Sequence, residues 1–361
     1  MLSIVVPTYK EAGNLPALVR AVNETLCDKG VDFEIIIADD NSPDDTLAVI
    51  NALRTSMSSL KLIQPKGRER DLSLSVIDGI SAAEFDVVLV MDADLSHPPA
   101  RIIEMLSLLK ENPGSFVIGS RYVKGGSFDR DWSLWRFLNS YFATALAQPL
   151  VQCSDPMSGF FMFEKSRVDM TSLRPIGYKI GLELMVRGSF DMIQEVAIDF
   201  QDRTIGESKM NLSQQFRYLR HLRRLYLHRF KGWAEFFHYG AVGASGFLVD
   251  IAFYYLLQYL GLQHQLARAV SFWPAVSWNW ALNRITTFGE RQRRPKTRQW
   301  LEFVITSLVG FSINWGVYAT LTSTVPFFDE YRLFALVLGI VGASLFNFTV
   351  STLFVYNDKR Q

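Results

Sequence analysis

Two pairs of acids stand where runs of hydrophobic residues stop. The stretch VVLVMDADLSHPP, residues 87–99, is apolar from Val87 to Met91 and then sets Asp92 and Asp94 one residue apart. Carboxylates at that spacing suit a divalent cation, which takes oxygen ligands and completes its shell with phosphate or water. The same two residues would also start a loop and cap a following helix, work for which Asp is a common choice, so the pair alone leaves both readings open. Phe33 to Ala38 ends in the same manner, at Asp39 and Asp40, followed by Asn41, Ser42 and Pro43. That DDNSPDD segment would equally make a turn and a helix start on any fold. A third apolar run, from Leu2, delivers Pro7, Thr8, Tyr9 and Glu11.

The elements that must position these groups follow from periodicity. Five consecutive apolar residues before Asp92 predict a strand buried on both faces. Asn14 is placed to cap a helix whose apolar positions, Leu15, Leu18, Val19, Val22 and Leu26, recur at helical spacing. A second helix is expected from about Asp44 to Arg54, a strand at Leu60 to Ile63, and a helix around Leu72 to Ala83. Strands alternating with helices predict βαβ units and a mostly parallel sheet, with ligands beyond the carboxyl ends of its strands. Three strand ends therefore converge on one edge, carrying Pro7 to Glu11, Asp39 with Asp40, and Asp92 with Asp94.

Composition bounds the function. The 361 residues carry a formal net charge of +1, which argues against nucleic acid as a partner. The two cysteines, Cys27 and Cys153, are far apart and imply neither a disulfide nor a zinc site. The N-terminal MLSIVVPTYKE reads as a strand of a cytosol-facing domain, without a basic leader or cleavable apolar segment. Beyond about Lys231 long apolar stretches take over, and the chain divides there.

The segments IVVPTYKEAGN, IIIADDNSPDDT and VLVMDADLSHPP, in this order, resemble the family 2 glycosyltransferases of GT-A fold, most closely the dolichol-phosphate (polyprenol-phosphate) mannose synthases. IGSRYVKGG at 118–126, SDPMSGFFMF at 154–163, YKIGLELMVR at 178–187 and DRTIGESKM at 202–210 extend the resemblance over about the first 230 residues. It implies an α/β, Rossmann-like catalytic domain that binds a nucleotide sugar. Asp92 and Asp94 then correspond to the family's metal-binding DxD pair, for Mg2+ or Mn2+, with Ser96 where relatives often carry a Gln. Pro7, Tyr9, Glu11, Asp39, Asp40 and Asp92 fall on its donor nucleotide contacts. The acceptor, a lipid phosphate, must approach an anionic donor and needs cations. The resemblance offers Arg121, Arg136, Ser140, Arg203 and Lys209 for that phosphate, and Asp94, Arg121 and Arg203 for catalysis. Any of these Arg residues would otherwise be a solvated charge or an ion-pair partner. A phosphate is already an anionic nucleophile, so a single inverting displacement fits better than the paired-carboxylate scheme of glycoside hydrolysis. One departure concerns residues 67–80, GRERDLSLSVIDGI, where relatives carry a glycine-rich turn beside the donor. His97 in DLSHP tilts the expected sugar toward mannose.

The second half predicts four membrane segments, about Phe236 to Leu260, Gln265 to Ile285, Leu301 to Ser323 and Leu333 to Val355, each near the roughly 20 residues that cross a bilayer. Basic residues collect in RYLRHLRRLYLHRFK before the first and GERQRRPKTRQ between the second and third. The positive-inside rule then puts the catalytic domain and both termini in the cytoplasm. Trp132 to Val151 and Leu212 to Phe230 mix aromatics and leucines with Arg and His, a pattern for helices in the headgroup layer. The expected organisation is a GT-A catalytic domain at 1–211, an amphipathic linker at 212–232 and a four-helix domain at 233–361 that resembles the GtrA type. Of the polar residues at membrane depth, Asp250, Arg268, Asn279, Asn283, Arg284, Asn314 and Asn347, Asp250 most invites a role, with Arg268 open to the reading of its structural partner.

The resulting expectation is an integral membrane transferase moving a hexose, mannose from GDP-mannose, to polyprenyl (dolichyl) phosphate at the cytoplasmic face. UDP-glucose is the alternative donor. A processive polysaccharide synthase, suggested by Gln214, Arg217 and Tyr218 in a QxxRW-like spacing, and a lipid-linked sugar transporter with a nucleotide-sensing domain are the alternative classes.

Overall fold

The computed structural model describes residues 1–65, 70–128, 134–200, 212–289, 291 and 295–356. It divides into two compact units, Met1–Arg229 and Phe230–Gln361.

The first unit alternates strands and helices: β1 (Leu2–Thr8), α1 (Leu15–Cys27), β2 (Phe33–Asp39), α2 (Thr46–Ser56), β3 (Leu60–Ile63), α3 (Leu72–Ala82) and β4 (Val87–Val90). There follow α4 (Ile102–Glu111), β5 (Phe116–Ser120), β6 (Ser127–Phe128), α5 (Leu134–Ala147), β7 (Phe161–Glu164), α6 (Ile180–Arg187), β8 (Ile193–Ala197) and β9 (Asp199–Phe200). Seven strands form one sheet in the order β3-β2-β1-β4-β7-β5-β8. Only β7 runs against its neighbours in that sheet. The sheet is mostly parallel, as the strand–helix alternation predicts, and the one reversed strand has a direction that hydrophobic periodicity does not encode.

Alternation of side chains gives the sheet two buried faces. Val5, Ile36, Val88 and Phe161 pack on one side with Val76 and Ile80 of α3, while Ile4, Ile37, Leu89 and Met162 pack on the other with Leu18 of α1 and Met105 of α4. Gly79 lets α3 lie close on β1, since a Cβ there would run into the Val5 side chain. Asn14 departs from the sequence expectation: its side chain does not cap α1 but donates to Glu11 Oε2 at 2.7 Å. The Glu11 carbonyl instead accepts the backbone N–H groups of Asn14 and Leu15.

Helix α7 (Leu212–Tyr259) is interrupted at Lys231, whose φ of 41° and ψ of −121° are not helical. Its part before the break belongs to the first unit, where Leu222 and Leu225 are buried with Leu150 and Phe163. Tyr218 and Tyr226 donate to the carbonyls of Ala143 and Leu146 on α5, at 2.6 and 2.8 Å. Tyr141 and Phe142 of α5 and Phe216 and Leu219 of α7 remain exposed.

The second unit continues α7 and adds α8 (His264–Leu282), α9 (Lys296–Thr324), α10 (Pro326–Glu330) and α11 (Arg332–Val350). Among the described residues three helices are long and apolar enough to cross a membrane: 214–259, 296–324 and 332–355. The fourth expected segment does form a helix, α8, but it is not among them. Its 19 residues include Gln265, Arg268, Ser271 and Asn279, which dilute the apolar run. Both α8 and α11 end in a π turn, Asn283–Thr287 and Ser351–Val355, and the rings just beyond, Phe288 and Tyr356, stack 4.5 Å apart. Gly246 of α7 leaves room for the Asn279 amide of α8, as Gly310 of α9 does for that of Asn347 on α11. Asp250 is ion-paired to Arg268 and accepts a hydrogen bond from Ser271 at 2.7 Å.

Candidate active site

The sheet order explains how distant segments meet. Parallel pairing aligns Thr8 with Asp39 and Val5 with both Ile36 and Val90, so β2, β1 and β4 end on one edge. Because β7 is antiparallel and pairs Phe161 with Val90, the segment before it arrives at that same edge. β5 ends there too, releasing Arg121. The chain reverses sharply at each of the first three exits: Lys10, Asn41 and Leu95 have φ of 62°, 55° and 62°. Such left-handed backbone is unfavourable for side chains other than Gly and tends to collect where a site fixes the chain.

A cleft of about 220 Å³ opens on this edge. Pro7, Asp92 and Arg121 line it, together with the segment 156–159, Lys179 and the first turn of α6. The Asp92 side chain is one-third exposed, whereas Asp94 is buried. Ser96 donates to Asp94 Oδ1 through its hydroxyl at 2.6 Å and its N–H at 3.1 Å, fixing that carboxylate. His97 is buried, stacks on Phe160 with ring centroids 5.2 Å apart, and accepts the Asp92 N–H at Nδ1, 3.0 Å. Burial holds its imidazole below the usual range against the opposing charges of Asp92 and Asp94. A Cβ on Gly159 would lie 3.3 Å from Asp92 Oδ2, so the glycine leaves space over that carboxylate.

Arg121 is gripped by Asp155, with Nε to Oδ2 at 2.7 Å and Nη2 to Oδ1 at 2.8 Å. Asp155 also accepts the Arg121 N–H, at 3.2 Å. Tyr122 and Ser140 share a hydrogen bond of 2.9 Å. Asp39 is fully buried and accepts from the Ser42 N–H and from Gln64, both at 3.0 Å. Asp40 is buried as well, and its Oδ1 has no hydrogen-bond partner among the described residues. Arg70 lies over the Tyr9 ring, 4.5 Å from its centroid. Glu11 receives Asn14 on its side chain, and its N–H donates to Thr46 Oγ1 at 3.2 Å.

The sequence-derived candidates thus fall into three sets. Pro7, Asp92 and Arg121 meet at the cleft, with Asp94 and Ser96 directly behind Asp92 in the chain. Asp39, Asp40, Tyr9 and Glu11 occupy the neighbouring strand exits but do not line the cleft. Arg203, Lys209 and residues 66–69 lie outside the described residues, as does the Arg136 side chain, although Arg136 falls on α5. Two participants were not singled out from sequence, Asp155 and Lys179. Both sit in the segments SDPMSGFFMF and YKIGLELMVR, whose polar residues were the available signal.

Two neighbouring carboxylates, Asp92 open to the cleft and Asp94 held by Ser96, form an oxygen donor pair of the kind Mg2+ or Mn2+ accepts. Among the described residues no cluster of three or more His, Cys, Asp or Glu is set to hold a metal ion. Further ligands would have to come from substrate oxygens or water, as is usual for Mg2+ at phosphates.

A mostly parallel α/β domain of GT-A type with an acid-edged cleft precedes apolar helices long enough to cross a membrane. Residues 3–169 match glycosyl transferase family 2, and residues 238–356 match the GtrA/DPMS transmembrane domain. The chain is 36% identical to the dolichol-phosphate mannosyltransferase of Pyrococcus furiosus over 345 residues, 94% of this chain and 95% of that protein. It is 37% identical to that of Mycosarcoma maydis over 236 residues, 63% of this chain and 80% of that protein. The crystal structure of M. tuberculosis glucosyl-3-phosphoglycerate synthase aligns with a TM-score of 0.46 at 21% identity, over 63% of this chain and 80% of that one. The chain belongs to the dolichol-phosphate mannosyltransferase family, and it is a membrane glycosyltransferase.

Proposed function

We propose that the protein transfers mannose from GDP-mannose to a polyprenyl (dolichyl) phosphate, with inversion, at the cytoplasmic membrane face. The observation that carries this reading is the pairing of a partly open Asp92 with a buried, Ser96-held Asp94 at the end of β4, on a cleft that Arg121 also lines. The activity for which the relatives are named, dolichol-phosphate mannosyltransferase, suggests the sugar and the acceptor class.

In this reading Asp92 and Asp94, with Ser96 as a further oxygen, hold a divalent metal. A divalent ion held there would supply positive charge to offset that of the donor diphosphate. Pro7, Tyr9, Glu11, Asp39 and Asp40 take the nucleotide, and the buried, unpartnered Asp40 Oδ1 supports a polar ligand there. Arg121, with Arg136, Ser140, Arg203 and Lys209, draws in the acceptor phosphate. The Asp155 clasp keeps the Arg121 guanidinium in one orientation at the cleft wall. The nucleophile is the acceptor phosphate oxygen, which needs no base to deprotonate it, so positioning and charge carry the reaction. Basic residues around the membrane helices support a cytoplasmic catalytic domain and termini. The exposed Tyr141, Phe142, Phe216 and Leu219 support contact of α5 and α7 with the headgroup layer.

The test uses the full chain in membranes with polyprenyl phosphate, Mg2+ and either labelled GDP-mannose or labelled UDP-glucose. A lipid-extractable mannosyl product that disappears with Asp94→Ala is expected. Transfer from UDP-glucose alone would sink the mannose assignment, and lipid-sugar movement that survives Asp94→Ala without any transfer would favour a transporter.

A further inference from the structure

Lys179 is the last residue before α6 and lines the cleft with Asp92 and Arg121. Its ammonium donates to the Met157 carbonyl at 2.9 Å and lies 4.8 Å from the Tyr178 ring centroid. Among the described residues no carboxylate is within ion-pair distance of it, whereas Arg121 beside it is clasped by Asp155. An ammonium withdrawn from water without a counter-ion is unfavourable, and such cations are generally completed by an anion. Burial, helped by the charge of Arg121, pulls its pKa down to about 8 against the opposing charges of Asp155 and Asp92. The first turn of α6, Ile180 to Leu182, lines the same space, which places the positive end of the helix there as well.

We propose that Lys179 is a phosphate-binding residue of this cleft: its ammonium, oriented by the Met157 carbonyl, donates a hydrogen bond to a phosphate oxygen entering beside Asp92. The Met157 bond uses one of the three ammonium donors and leaves the others for a ligand. This rests on the glycosyl-transfer reading above, which brings two phosphate sources to the cleft, the acceptor monophosphate and the donor diphosphate. Their shared chemistry is what Lys179 recognises, and the step is one of binding, with no bond made or broken.

The experiment measures farnesyl phosphate and GDP binding by calorimetry on the full chain in detergent, where no turnover occurs. Lys179→Met should weaken at least one ligand by about tenfold or more, the effect of losing a charged hydrogen-bond donor, while Lys179→Arg stays near wild type. A loss confined to farnesyl phosphate assigns the acceptor, and one confined to GDP the donor. The ammonium is present below its pKa, so wild-type affinity should fall as pH rises from 7 to 9, and Lys179→Arg should remove that fall. Lys179→Gln replaces Lys179→Met if the latter does not fold. Wild-type affinities in both uncharged variants would overturn the proposal, as would a Lys179→Arg defect equal to that of Lys179→Met. A wild-type chain that binds neither ligand and transfers no sugar removes the underlying reading, and the proposal with it. Wild-type binding left unchanged by Lys179→Met removes the proposal alone.

Discussion

Arg121 and Asp155 form a two-pronged ion pair across the cleft wall, with Asp155 fully buried beneath it and the Arg121 side chain 12% exposed. Planar, bidentate pairing fixes the guanidinium plane as well as its position. Replacing Asp155 with Ala should cost about 3–5 kcal/mol of stability, because it removes the bidentate carboxylate partner of a largely buried cation. Chemical denaturation in detergent would measure this. Arg121→Ala with Asp155→Ala should then lose less than the sum of the single variants.

Ser96 acts on Asp94 through a 2.6 Å hydrogen bond. Ser96→Ala should weaken apparent Mg2+ affinity about 10- to 100-fold, the usual effect of losing a partner that orients a ligand. The turnover rate at saturating Mg2+ should change little. Metal titrations of transfer rate separate the two parameters. An unchanged Mg2+ dependence would show that Ser96 neither orients Asp94 nor binds metal.

Glu183 joins α6 to the first part of α7. It is buried, and its carboxylate meets His221 Nε2 and Arg187 Nε, both at 2.6 Å, and the Arg174 N–H at 2.8 Å. Burial alone would raise its pKa, but the His221 hydrogen bond, the Arg174 N–H and the charge of Arg187 outweigh it and hold the carboxyl below its usual value. A lowered folded pKa gives stability that is present above the unfolded value, about 4.3, and is lost as pH falls through the folded value. Glu183→Gln should therefore be less stable at pH 7, with the gap to wild type closing below about pH 4. Melting temperatures across pH 3–7 test the crossover.

Gly79 faces Val5 at the contact of α3 with β1. Gly79→Ala should destabilise by about 1–3 kcal/mol, since the gain in helix propensity is smaller than the cost of overpacking a filled core. Val5→Ala introduced with it should recover part of the loss. A stabilised Gly79→Ala would mean that α3 can shift away from the sheet without cost.

The strand–helix alternation was legible because the strands are mostly apolar runs ended by polar turn residues, and acids following three of them marked the edge. The direction of β7 was not legible: periodicity in FFMF carries no sense of chain polarity. Asp155 owes its place at the cleft to that reversal, which brings segment 154–160 against the exits of β4 and β5, and Lys179 meets that segment at the Met157 carbonyl. Asn14 is not a cap because its backbone is already helical, at φ −92° and ψ −32°, and the Glu11 carbonyl takes the N–H groups of Asn14 and Leu15. The fourth membrane segment, read by its length, forms α8 but with too many polar side chains to count as an apolar span.

The repeated glycine–asparagine packing and paired π turns of the second unit carry a meaning of their own. Helices α7 with α8 and α9 with α11 repeat one packing: a glycine on the first helix receives an asparagine amide of the second, and each second helix ends in a π turn. One turn beyond Gly246 stands Asp250, and one turn beyond Gly310 stands Asn314, which packs against Gly339 where Asp250 meets Ser271. The second contact forms without a carboxylate or its arginine at this level. The Asp250–Arg268 pair therefore puts charge into the first of these two contacts at the level where the second holds Asn314 against Gly339.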